Sequence, residues 1–108
     1  MSAGYDVRYD PVAFAALAEA ADYIEKQSGR NRATTWLDAM RTSIDKLESY
    51  PRAFPAVSIR RGRQIHSKLV ISHRVYYFID DPTRTVYIID VVHTARETKL
   101  AEYRDPPG

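Results

Sequence analysis

Four residue types in the back half of this chain have the chemistry to handle a phosphodiester. His66 and His93 can exchange protons near neutral pH. Arg74, Arg96 and Lys68 can hold phosphate oxygens, the arginines in two-pronged fashion. Tyr103 can stack on a base. Together they suit cleavage of RNA through its own ribose 2′-hydroxyl, which needs a base, an acid and cations at the charged phosphorane. No metal is required for that reaction, and no spacing of ligands here suggests a metal site or a cofactor. Each residue also has an ordinary reading. His93 can bond at a strand end, Asp90 can be a structural partner for Arg74, and Arg96, Lys99 and Tyr103 can form a solvated helix face.

The positive charge is concentrated. No acidic residue stands between Glu48 and Asp80, an interval that holds Arg52, Arg60, Arg61, Arg63, Lys68 and Arg74 together with His66 and His73. Residues 1–54 carry seven Lys or Arg against eight Asp or Glu, whereas residues 55–108 carry nine against six. The overall charge of +2 thus hides a near-neutral front half and a basic back half. An anionic partner follows, either nucleic acid or an acidic protein segment, with Arg60, Arg61, Arg63, His66, Lys68, Lys99 and Tyr103 as candidate contacts. The alternative is a solvated strand face without a ligand.

A chain of 108 residues implies one domain spanning 1–108, with residues 1–4 and 104–108 as flexible tails. One compact core leaves little room for a deep substrate cavity, which favours recognition of a macromolecule. The absence of cysteine excludes disulfides and thiolate chemistry. No apolar run approaches a membrane span, and Met1-Ser2-Ala3-Gly4 lacks the features of a signal peptide, so a cytoplasmic protein with no membrane partner is expected.

The elements that must position these residues read as α+β. Tyr5 to Tyr9 alternates like a strand, with Tyr5, Val7 and Tyr9 opposite Asp6 and Arg8. Asp10-Pro11 supplies an N-cap and a first-turn proline. The helix that follows has Phe14, Leu17, Ala21 and Ile24 as its apolar stripe, and Ser28-Gly29 ends it. A second helix from about Arg32 to Glu48 carries Ala33, Trp36, Leu37, Met40, Ile44 and Leu47. The short connector makes the pair an antiparallel hairpin. Tyr50-Pro51 stops it, and Pro55 marks a linker. Strands then run over about Gln64 to Val70, His73 to Asp80 and Thr85 to His93, forming an antiparallel meander. Thr94-Ala95-Arg96-Glu97 has the capping-box pattern, so a short final helix is predicted to about Tyr103. The order is β-α-α-β-β-β plus that helix, with the first strand joining the sheet edge and the hairpin covering one face.

Strict alternation puts Arg74, Tyr76 and Phe78 on one face of the middle strand, opposite His73, Val75, Tyr77 and Ile79. In the last strand it groups Tyr87, Ile89, Val91 and His93. Arg96, Lys99 and Tyr103 share a helix face. Convergence of Arg74, His93, Arg96, Lys99 and Tyr103 near one end of the sheet, with His66 and Lys68 adjacent, is the resulting expectation.

Order and spacing together then become recognisable. Tyr-Asp-Val-Arg-Tyr-Asp-Pro at 5–11 leads into a helix, and Leu47-Glu48-Ser49-Tyr50-Pro51 closes the hairpin. His73-Arg74-Val75-Tyr76-Tyr77 forms the middle strand, and Ile89-Asp90-Val91-Val92-His93-Thr94-Ala95-Arg96 forms the end. From Tyr5 to about Tyr103 the chain resembles the RelE/ParE superfamily of type II toxin–antitoxin toxins. Its long hairpin and strand-terminal His look most like the ParE branch. The resemblance implies a plasmid-stabilisation type of protein that halts growth unless a cognate antitoxin binds it. That antitoxin would lay an acidic, partly disordered C-terminal segment across the toxin in a hetero-oligomer. ParE-like members inhibit DNA gyrase without catalysis, whereas RelE-like members are ribosome-dependent mRNA endonucleases. In the latter branch Arg74 matches the middle-strand arginine. Arg96 and Tyr103 resemble its late arginine and tyrosine, with one extra residue between them, and His93 would join Arg74 and Arg96 as the catalytic set. Arg63, His66 and Lys68 are a thin counterpart to the dense basic strand of the nucleases.

Overall fold

The computed structural model describes residues 4–95. The predicted helix between Thr94 and Tyr103 therefore lies outside the described residues from Arg96 onward, and so do Arg96, Lys99 and Tyr103.

The chain begins with β1 (Asp6–Tyr9). Asp10 caps α1 (Pro11–Ser28), its carboxylate accepting the N–H of Val12 at 2.9 Å, with Pro11 in the first turn. A single glycine then reverses the chain. Gly29 has φ +96°, in the region a Cβ disfavours, and α2 (Arg30–Asp45) starts directly after it. Two 3-10 turns, Lys46–Glu48 and Pro51–Ala53, lead out of the hairpin.

Four more strands follow: β2 (Ala56–Arg60), β3 (Arg63–Val70), β4 (His73–Asp80) and β5 (Thr85–His93). The sheet order is β1-β5-β4-β3-β2. β3, β4 and β5 form the expected meander, and β1 joins at the β5 edge, as expected, but parallel, making the sheet mixed. β2 is an addition to the expected strands. It pairs antiparallel with β3 through the turn Arg61-Gly62, whose residues have φ 53° and 79°, the sign pattern of a type I′ hairpin.

The hairpin lies on one face of the sheet. Ala13, Leu17, Met40, Ile44 and Leu47 from the helical side meet Val70, Val75, Tyr77, Val86, Ile88 and Val91 from the strands. Each such branched or aromatic side chain contributes about 1.5–3 kcal/mol by leaving water. Phe14 is not among them and is 66% exposed. Ala13 and Leu17, one turn apart, are the residues buried against the sheet; Phe14 is rotated about 100° from Ala13 and faces outward.

A β-bulge corrects the face assignment of β5. Tyr77 pairs with Ile88, but Tyr76 pairs with Asp90, so Ile89 is an extra residue on β5. Before it the even-numbered Val86 and Ile88 face the helices; after it Val91 and His93 do. Tyr87, Ile89, Val91 and His93 therefore do not share a face, because one inserted residue reverses the parity of everything beyond it.

Candidate functional site

The register sorts the basic residues between two faces. His66 pairs with Tyr77, Lys68 with Val75 and Val70 with His73, all on the helix-covered side. Ser67 and Leu69 pair with Tyr76 and Arg74 on the open side. Arg74 thus projects from the face opposite His66 and Lys68, which are not adjacent to it as expected, while the expected convergence of Arg74 and His93 with Arg96, Lys99 and Tyr103 involves residues outside those described.

Both residues on the covered side are committed to the fold. The Lys68 ammonium donates to the Ser43 carbonyl near the end of α2 at 2.7 Å and lies 5.0 Å from the centre of the Phe54 ring. A cation at a helix C-terminus is favourable, so this is a C-terminal cap supplied from the sheet. Burial, with help from the Lys46 charge, pulls the Lys68 pKa below its ordinary value. His66 bonds through Nδ1 to the Phe54 carbonyl at 2.8 Å, which requires Nδ1 to carry the proton. Its ring stacks on Tyr77 at 5.2 Å. Tyr77 donates to the Pro51 carbonyl at 2.7 Å, and burial pushes its phenol up to about 12.

His93 stands at the end of β5, opposite His73 across the β4–β5 ladder. Its Nδ1 accepts the N–H of Ala95 at 3.0 Å. The predicted capping-box partner of Thr94, Glu97, lies outside the described residues. His93 meets His73 edge-on at 5.0 Å, and His73 meets Trp36 of α2 at 5.2 Å. This ladder borders a groove of about 590 Å³ whose walls include Ala16, Ala20, Tyr23 and Trp36. Periodicity gave no sign of it, since it depends on where a helix crosses the strand ends.

The open face carries arginine and aromatic side chains. Phe78 stacks on Tyr87 at 5.1 Å, and the Arg63 guanidinium lies 4.4 Å over the Phe78 ring. Arg63 is also 3.8 Å from Asp80. Arg74 donates to Ser67 Oγ at 3.3 Å. Arg60 pairs with Arg63 in the β2–β3 register, and Arg61 forms the turn beyond them. Arg8, exposed, is in register with Tyr87 from β1.

A polar cluster at one sheet end was not legible beforehand. Asp81 accepts from Tyr5 Oη at 2.8 Å and from Arg52 Nη2 at 2.6 Å, while Arg84 covers the Tyr5 ring at 4.4 Å. These bonds hold the Asp81 carboxyl below its usual range and raise Arg52 above its own. The cluster ties β1, the linker and the β4–β5 turn together. Among the described residues no group of three His, Cys, Asp or Glu is placed to hold a metal ion. No helix among them is long and apolar enough to cross a membrane.

Comparison with known proteins accords with this architecture. The family profile of the ParE toxin of type II toxin–antitoxin systems (parDE) matches residues 7–98. No curated protein matches the chain. Among solved structures, a chain of the chromosomal ParDE toxin–antitoxin system of P. aeruginosa superposes with a TM-score of 0.69 at 12% identity, covering 85% of this chain and 98% of that one. The toxin–antitoxin complex RelBE2 of Mycobacterium tuberculosis gives 0.62 at 25% identity, over 83% and 98%. The archaeal RelE–RelB complex of Pyrococcus horikoshii gives 0.57 at 14% identity, over 83% and 94%. With the profile spanning most of the sequence, from within β1 to beyond β5, this chain belongs to the ParE toxin family of the RelE/ParE superfamily.

Proposed function

We propose that this toxin arrests growth by inhibiting DNA gyrase, as a binding protein rather than a nuclease, and that it acts in the cytoplasm. An antitoxin with an acidic segment neutralises it in a hetero-oligomer, by analogy with the toxin–antitoxin complexes its fold resembles. One observation supports the non-catalytic reading above the others. The proton-transfer and phosphate-holding groups lie apart: His66 and Lys68 are held under the helices by backbone carbonyls, while Arg74 projects from the opposite face. General acid–base catalysis needs its groups within hydrogen-bond reach of one substrate. His93 has its Nδ1 engaged by the backbone and lies on the helix side of the bulge.

The test is expression without antitoxin, followed in parallel by assays of gyrase supercoiling and mRNA integrity. Trapped gyrase–DNA complexes with intact messages support the proposal. Cuts mapped within ribosome-bound mRNA, with gyrase unaffected, would instead establish the endonuclease reading. That second reading draws on Arg74, which shares the sheet face opposite the helices with Tyr76 and Phe78, and on Arg96 and Tyr103.

A further inference from the structure

The outer part of the β2–β3 hairpin, β2 with the start of β3, is exposed to solvent. Every residue from Ala56 to Gln64 is exposed. β2 is the terminal strand of the sheet, bonded only to β3. Ile59 is 72% exposed and Val57 is 54% exposed, an unusual state for β-branched residues in a strand. Arg60 and Arg63 face each other across the ladder, and Arg61 occupies the turn. Arg63 is engaged with Phe78 and Asp80. Arg60 and Arg61 make no ion pair among the described residues.

Such a ribbon invites either a partner strand along its open edge or a polyanion at its tip. The edge is guarded against the first. β2 has only five residues, a bulge interrupts its register at Val57, and an arginine ends it. Short length, bulges and charge are the features that discourage strand addition. What remains for recognition is the side chains of the tip: the exposed Ile59 on one face of the ribbon, Arg60 and Arg63 on the other, and Arg61 at the turn.

We propose that the β2–β3 hairpin is a DNA-binding ribbon that enters a groove of duplex DNA, with Arg60, Arg61 and Arg63 on phosphates and Ile59 against the bases. A two-stranded ribbon fits the major groove. An exposed apolar side chain can contact the thymine methyl groups displayed there. Strands of about five residues reach about 17 Å, enough to cross a groove about 12 Å wide. This goes beyond the gyrase proposal and does not rest on it.

The experiment measures binding of the purified full chain to a short fluorescein-labelled duplex by anisotropy over a range of salt. The test variant is Arg60→Gln with Arg61→Asn, because Asn-Gly is the preferred type I′ turn and preserves the hairpin. The expected result is duplex binding stronger than to a single strand of the same sequence. The double variant should bind about tenfold more weakly at low salt, and its log–log salt slope should shrink by about 1.8, from two lost phosphate contacts. Ile59→Ser should weaken binding and leave the slope unchanged. Undiminished duplex affinity in the double variant, preference for the single strand, or tighter binding of a poly-glutamate peptide through the same arginines would overturn the proposal. Gyrase supercoiling is scored separately on the same samples. Duplex binding lost in the double variant supports the ribbon whether or not the chain inhibits gyrase, so the two proposals fail independently.

Discussion

Lys68 shows how a basic residue in a toxin of this family can be structural. Its ammonium sits on the Ser43 carbonyl with its stem buried, an arrangement that binds β3 to α2. Lys68→Met keeps the stem and removes the donor. It should lower stability by about 1–3 kcal/mol in urea unfolding at neutral pH, the cost of a lost charge-assisted hydrogen bond. A lysine held only for catalysis would leave the unfolding midpoint in place. Tyr77 makes a comparable link to Pro51. Its folded-state pKa of about 12 lies above the value of about 10 expected in the unfolded chain. Below pH about 10 the phenol is neutral in both states and its contribution is whole. Between pH about 10 and about 12 only the unfolded chain ionises, so stability falls as pH rises. Tyr77→Phe should cost about 1 kcal/mol at neutral pH and flatten that alkaline decline, as followed by thermal unfolding across pH.

The elements carry strain and caps that can be tested one at a time. Ile71, in the turn between β3 and β4, has φ 56° and is 57% exposed. A β-branched residue rarely adopts that conformation, which asparagine tolerates. Ile71→Asn should raise stability by about 1 kcal/mol, and an unchanged melting temperature would show that the turn is not strained. Asp10→Ala should cost about 1 kcal/mol by removing the α1 cap. That cap, the reversal at Gly29 and the three strands of the meander were legible in the sequence because each has a local cause: a short acceptor before proline, a glycine after a helix, and runs of β-branched and aromatic residues. β2 was not, since Ala-Val-Ser-Ile-Arg is too short and too flanked by proline and glycine to stand out. Phe14 was misplaced because α1 is apolar on several sides before Glu19, which leaves its buried stripe ambiguous. The bulge at Ile89 was invisible, because alternation contains no signal for an inserted residue. That one residue turned His93 toward the helices. Alternation did place Arg74 opposite His73, Val75 and Tyr77 correctly. It also put His66 and Lys68 on a shared face, but it could not say that this face lay under the hairpin.

Among the described residues, the two helices cover one face of the sheet, and the cations divide between that face and the opposite one. Lys68 and His66 serve the helix-covered side, whereas Arg8, Arg60, Arg63 and Arg74 project from the opposite one. Positive side chains projecting from a platform backed by two helices are thus only partly what the chain presents: Lys68 leaves that set and Arg8 joins it. For a gyrase inhibitor, Arg74→Ala should preserve growth arrest within about threefold; loss of arrest with normal folding would favour nuclease chemistry, where removing one group that stabilises developing charge costs roughly 10²–10³ in rate. The most direct measurement is supercoiling of relaxed plasmid by purified gyrase in the presence of the purified chain. Dose-dependent inhibition that the antitoxin reverses, with ribosome-bound mRNA left intact in a parallel translation reaction, is the expected result; unimpaired supercoiling alongside cleaved mRNA would contradict it.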